Sequence, residues 1–122
     1  MRAFILTMFL LPYVYFGLRD NIYHLRRRSV SWTERLLHVT IVLSLFTVIP
    51  HAYLGHQTIT YASLLLFLIA RALDEFIFHR GLSGAESDLH AKTHFAFLMF
   101  VVAIMYVDWM ADHGMNSVHR AP

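Results

Sequence analysis

The sequence predicts an all-α protein: a four-helix transmembrane bundle with antiparallel up-down connectivity and short loops. Three observations lead there. Hydrophobic residues make up 57% of the chain and charged residues only 15%, so a folded form could not cover its apolar surface with polar groups. The apolar residues gather into four runs of roughly membrane-spanning length. The lysines and arginines gather between alternate runs. At 122 residues the chain makes a single integral membrane domain.

The first run, AFILTMFLLPYVYFGL, covers residues 3–18. Only Arg2 precedes it and no small-x-small cleavage site follows, so it reads as a retained helix and not a signal peptide. Pro12 is tolerable as a kink, because neighbouring helices can satisfy the carbonyl it frees. The second run, residues 36–55, is LLHVTIVLSLFTVIPHAYLG. The third, residues 60–78, carries charges in its second half, and the fourth occupies about residues 90–110.

Short connections make consecutive helices antiparallel. Arg19, Arg26, Arg27, Arg28 and Arg35 fall between runs one and two, and Arg80 and Lys92 between runs three and four. Only Arg2 and Arg120 fall on the other side, a bias of seven to two that puts both charged loops in the cytoplasm. Both termini are then periplasmic or otherwise outside. With compact loops and no cysteine, a bacterial inner membrane is the expected location. Nucleic acid is not an expected partner, since the arginines flank an apolar segment instead of lining a solvated face. The lipid bilayer is one, and so small a membrane chain also suits a homo-oligomer or a larger membrane complex.

The absence of cysteine excludes disulfides and thiolate metal sites. Any metal must be held by imidazole and carboxylate, a set suited to iron or zinc. The stretch from Leu73 to His94 packs four carboxylates and three histidines into 22 residues. The up-down topology gathers five of the nine histidines and six of the eight acids at one end of the bundle. Glu34 and His38 are four apart, as are Glu75 and His79, and Glu86, His90 and His94 make two such steps. Residues four apart share a helical face, and helical bundles build metal sites from inward-facing Glu and His. His79, His90 and His94 are the leading candidate ligands, followed by Glu75, Glu86, His38, Asp74 and Glu34. Glu75 and Glu86 are also the candidate general bases. His24, beside the arginine cluster, is a weaker candidate. Continued down the fourth helix, the Glu86–His90–His94 stripe runs through Phe97, Val101, Met105, Asp108 and Asp112.

Neither the Glu-x-x-His of soluble di-iron bundles nor a His-x-x-His-His box occurs, so the spacing identifies no family. The blander reading is that Arg71 neutralises Asp74 or Glu75 within its helix, while Lys92 and Arg80 engage Asp88 and Glu86. A second, sparser cluster, His51, His56, Asp108, Asp112 and His113, falls at the opposite end.

The leading expectation is a small membrane metalloprotein with a His/carboxylate site, di-iron or zinc, doing redox or hydrolytic chemistry on a membrane-associated substrate. The alternatives are proton or metal-ion transport, and a non-catalytic subunit or assembly factor whose charged end docks a partner. An electron-transfer subunit with haem b between two histidines, such as His38 and His94, is a further option.

Overall fold

The computed structural model describes residues 1–27, 31–78 and 84–118. They form four helices: α1 (Arg2–Arg27), α2 (Trp32–Leu54), α3 (Gln57–Phe78) and α4 (Gly84–Val118). Each helix starts before its apolar stretch, and α1 and α4 also continue past its end, because polar flanks continue the backbone hydrogen-bonding that hydropathy does not register. The start of α2 is fixed by Ser31, whose hydroxyl accepts a hydrogen bond from the Glu34 N–H at 3.2 Å. Its end is Gly55, whose φ of 78° is the left-handed geometry that glycine adopts without a Cβ penalty. Pro12 and Pro50 lie inside α1 and α2.

Side-chain contacts show all consecutive helices antiparallel. Thr7 of α1 meets Tyr53 of α2 near one end, and Asp20 of α1 meets His90 of α4 near the other. The closest helix pairs are α2 with α3 and α1 with α4. One end of the bundle gathers the finish of α1 and α3 with the start of α2 and α4. We call it the charged end. The other, the terminal end, carries residue 1, the α2–α3 turn and the close of α4.

The buried side chains follow a seven-residue step in every helix. They include Leu6, Tyr13 and Asp20 in α1, and Glu34, Ile41 and Val48 in α2. In α3 they include Thr60, Phe67 and Asp74, and in α4 His90, Phe97 and Ile104. A heptad repeat keeps one seam facing the partner helices along the whole length. In the antiparallel bundle these seams align in layers. Tyr13 packs on Phe97 with ring centroids 5.1 Å apart, and Phe67 packs on Phe97 at 4.4 Å. At the charged end each seam closes on a titratable residue: Asp20, Glu34, Asp74 or His90.

The outward surface is apolar. Phe4, Phe46, Leu65 and Phe76 are all more than half exposed. Three stretches, Arg2–Tyr23, Trp32–Leu54 and Gly84–Gly114, are long and apolar enough to cross a membrane. α3 is not among them, because Arg71, Asp74 and Glu75 dilute its apolar run.

The sequence-based stripe on α4 needs correction. The buried face runs through His90, Thr93, Phe97, Phe100, Ile104 and Val107, whereas His94 and Met105 are exposed. At 3.6 residues per turn, four residues advance about 400°, so each four-residue step drifts about 40° around the helix. Glu86 and His94 consequently lie on opposite flanks of His90.

Candidate metal centre

His90 is the centre of the charged end. It is buried, and its two ring nitrogens face different partners. Nδ1 lies 2.9 Å from Asp20 Oδ2 on α1, and Nε2 lies 2.5 Å from Glu75 Oε2 on α3. The Nε2 of His94, one turn further along α4, approaches the Nε2 of His90 at 3.0 Å and Glu75 Oε2 at 3.8 Å. With the Nδ1–H donating to Asp20, the lone pairs of His90 Nε2, His94 Nε2 and Glu75 Oε2 converge. A shared proton or a cation would relieve that crowding, and the Arg71 guanidinium also reaches His94 Nε2, at 3.4 Å. A tetrahedral ion with bonds of about 2.1 Å sets its ligands about 3.4 Å apart. His94 to Glu75, at 3.8 Å, is wider than that, whereas the 2.5 and 3.0 Å contacts of His90 Nε2 are hydrogen-bond distances that would have to open to admit an ion.

A second triad forms one helix away. Ligand-capable atoms of Glu34, His38 and Asp74 all lie within 4.8 Å of one another, as do those of Glu75, His90 and His94. Within it, His38 Nε2 is 3.7 Å from Asp74 Oδ2. Glu34 and Asp74 are buried and His38 is half-buried. Adjacent Asp74 and Glu75 on α3 point to different neighbours, about 100° apart around the helix, so one dipeptide feeds both triads.

Arg71 links the two. Its guanidinium lies 3.5 Å from Asp74 Oδ2 through one terminal nitrogen and 3.4 Å from His94 Nε2 through the other. The intrahelical Arg71–Asp74 pair anticipated from the spacing is therefore present, but Arg71 also reaches α4. It belongs to the site and does more than neutralise a neighbour.

Of the residues the sequence singles out, His90, His94, Glu75, Glu34, His38 and Asp74 are brought together. Glu86 is not: it occupies the first turn of α4 and stands outside both triads, turned away by the helical drift noted above. Lys92 bonds Asp88 at 2.6 Å on the surface, as the blander reading expects of that pair. His79, Arg80 and the side chain of His24 lie outside the described residues. Asp20 is the residue that four-residue spacing passes over. Its signal is the seven-residue step from Leu6 through Tyr13, which puts an acid where the next core residue belongs.

A cavity of about 240 Å³ opens beside the first triad, between α3 and α4. Arg71, Glu75 and His94 form its polar edge, and Tyr13, Phe67 and Phe97 are among its apolar lining. A smaller one, about 60 Å³, reaches Asp20, His38 and Arg71 from the α1–α2 side.

The cluster anticipated at the terminal end resolves into separate structural pairs. Asp108 is buried and is held by Arg2 at 2.5 Å and by the Tyr61 hydroxyl at 2.9 Å. Arg2 also donates from Nε to the Ala52 carbonyl at 2.8 Å. His51 pairs with His56, Gln57 reaches Asp112, and His113 contacts the Trp109 carbonyl. Among the described residues, neither metal-capable group lies at this end.

The fold and site thus define an all-helical protein with three membrane-length apolar helices and two His/carboxylate groups that could hold a metal. Comparison with protein-family models, curated proteins and solved structures finds no match to the chain.

Proposed function

We propose that this chain is an integral membrane metalloprotein, a four-helix transmembrane bundle whose charged end holds a divalent cation, iron or zinc, for redox or hydrolytic chemistry on a membrane-associated substrate. The observation that carries this reading is the doubly committed His90. A buried carboxylate on Nδ1 fixes ring and tautomer while Nε2 faces further ligands, which is how proteins orient metal-binding histidines. Glu75 and His94 would complete a set of three protein ligands beside the cavity, where a bound ion would supply Lewis-acid or redox chemistry. Glu75 would serve either as the third ligand or, with His90 and His94 holding the ion, as the general base at the cavity edge.

The Glu34–His38–Asp74 triad is the more enclosed group and suits a second ion. His38 and His94 direct Nε2 to Asp74 and His90 respectively, an arrangement that favours a carboxylate-bound ion over bis-imidazole haem. The transport alternative is weaker. Between the two polar ends the described core is mostly apolar, with Val48, Phe67, Phe97, Phe100 and Ile104 separating the few buried hydroxyls such as Ser44 and Thr60, which speaks against a continuous path for a proton or ion. The excess of Lys and Arg at the charged end supports a cytoplasmic site in an inner membrane, with termini outside.

The test is metal content by plasma mass spectrometry on untagged protein in mild detergent, compared with His90→Ala and His94→Ala. Near-stoichiometric iron or zinc that disappears in both variants is the expected result. Equal, trace metal in all three proteins after reconstitution would overturn the reading and leave the charged end as a docking or structural feature.

A further inference from the structure

We infer that the cavity between α3 and α4 binds the ring of a lipid-soluble quinone, an inference that rests on the membrane metal-site reading and names the substrate class of that site.

Size comes first. Sites for drug-sized ligands occupy about 300–1,000 Å³. At about 240 Å³ this cavity takes one substituted ring, with any chain it carries left outside. Shape and lining agree with a ring. Phe67 and Tyr13 each pack on Phe97 in tilted contacts, at 4.4 and 5.1 Å, and all three border the cavity. An aromatic wall of this kind favours offset or edge contacts with a flat guest. Phe76, also on the lining, is 69% exposed on the outward face of α3, so the mouth opens toward the bundle's apolar surface and lipid. A long isoprenoid-like tail can stay in the bilayer while the ring enters.

The polar edge decides between a neutral and an acidic headgroup. Arg71 donates and cannot accept, whereas Glu75 accepts when ionised and His94 can do either. With Glu75 Oε2 and His94 Nε2 taken as ligands, Arg71 is the donor that edge keeps, and a quinone carbonyl is its match. Formal charge points the same way. Arg71 is already paired with Asp74 at 3.5 Å and Glu75 stands on the same edge, so a fatty-acid carboxylate would meet a like charge and a guanidinium already engaged. A neutral, ring-sized, hydrogen-bonding guest is what remains.

The experiment measures binding of decylubiquinone to the purified, metal-loaded protein in mild detergent, with oleic acid and decane as controls. Ala72, on the cavity lining, is exposed, so Ala72→Trp can block the space without disturbing the core. Saturable quinone binding that falls at least tenfold in Ala72→Trp, with metal content unchanged, is the expected result. A photoreactive quinone should also crosslink to the segments 67–76 and 93–97 of the unaltered chain. Binding no tighter than that of decane, preferential binding of oleic acid, or crosslinks confined to other segments would each overturn the proposal. Metal retained without quinone binding removes this inference alone. Quinone bound in the cavity of a protein that holds no metal removes the metal reading instead, and with it the claim that the ring is a substrate.

Discussion

Asp20 on α1 and His90 on α4 meet across 2.9 Å, both side chains buried, 70 residues apart in sequence. The pair joins the start of α4 to the end of α1 and sets which ring nitrogen of His90 faces Glu75. Asp20→Asn preserves shape and removes the charge. Loss of such an orienting carboxylate costs roughly 10–100-fold in metal affinity. A competition titration with a chelator should show that loss, with the helical circular-dichroism signal retained. Unchanged affinity would mean that Asp20 serves packing only.

Glu75 and Glu86 separate two readings of the same stretch. Both are carboxylates four residues from a histidine, yet the geometry puts only Glu75 in a triad. Glu75→Gln should reduce bound metal severely, whereas Glu86→Gln should leave stoichiometry intact. The reverse ranking would show that the α3–α4 register differs from the one described here.

Leu43 lies mid-way along α2 and is 61% exposed. In a bilayer that face meets lipid, and an arginine near a helix centre costs roughly 2.5–3.5 kcal/mol on insertion scales. Leu43→Arg should lower the fraction of chain that stays in carbonate-washed membranes. A water-soluble bundle would respond oppositely, with higher yield in the soluble fraction.

Arg2, Tyr61 and Asp108 tie α1, α3 and α4 at the terminal end. Asp108 is almost wholly buried, so removing a partner leaves a desolvated carboxylate. Such a loss costs about 1–3 kcal/mol, more for charged groups. Arg2→Gln should destabilise more than Tyr61→Phe in reversible detergent unfolding. A double-mutant cycle should show coupling, since both residues bond the same carboxylate. Additive effects would argue that the two contacts act independently.

Orientation can be read by chemical labelling, because the chain has no cysteine of its own. Thr58→Cys in the first turn of α3 and Ser87→Cys near the start of α4 place thiols at opposite ends on exposed positions. A membrane-impermeant maleimide should label position 58 in intact cells and position 87 only after permeabilisation. Labelling of position 87 in intact cells would invert the topology.

Much of the architecture is legible in the residues. Hydropathy locates four helical segments, and the short connections give their antiparallel order, since a few residues cannot carry the chain back along a helix. Charge placement marks the end where chemistry collects. The site is only partly legible, and the reason is angular. Pairs spaced by four identify residues on one face, but the 40° drift per step turns Glu86 away from His94. A seven-residue reading performs better, since Leu6–Tyr13–Asp20 and Thr60–Phe67–Asp74 carry an apolar or small core seam directly into an acid. Helix limits are less legible, because α1 and α4 continue helically beyond the apolar residues that signal them.

By itself the sequence determined helices, their order and the concentration of imidazole and carboxylate at one end, because periodicity, hydropathy and loop length act locally. Only the tertiary structure decided which of those groups meet. Glu75 joins His90 while Asp74, its neighbour, joins His38, a division set by the rotation of α3 between α2 and α4. Arg71 spans both groups for the same reason. Helix rotation is fixed by how four heptad seams pack together, and no single segment carries that information.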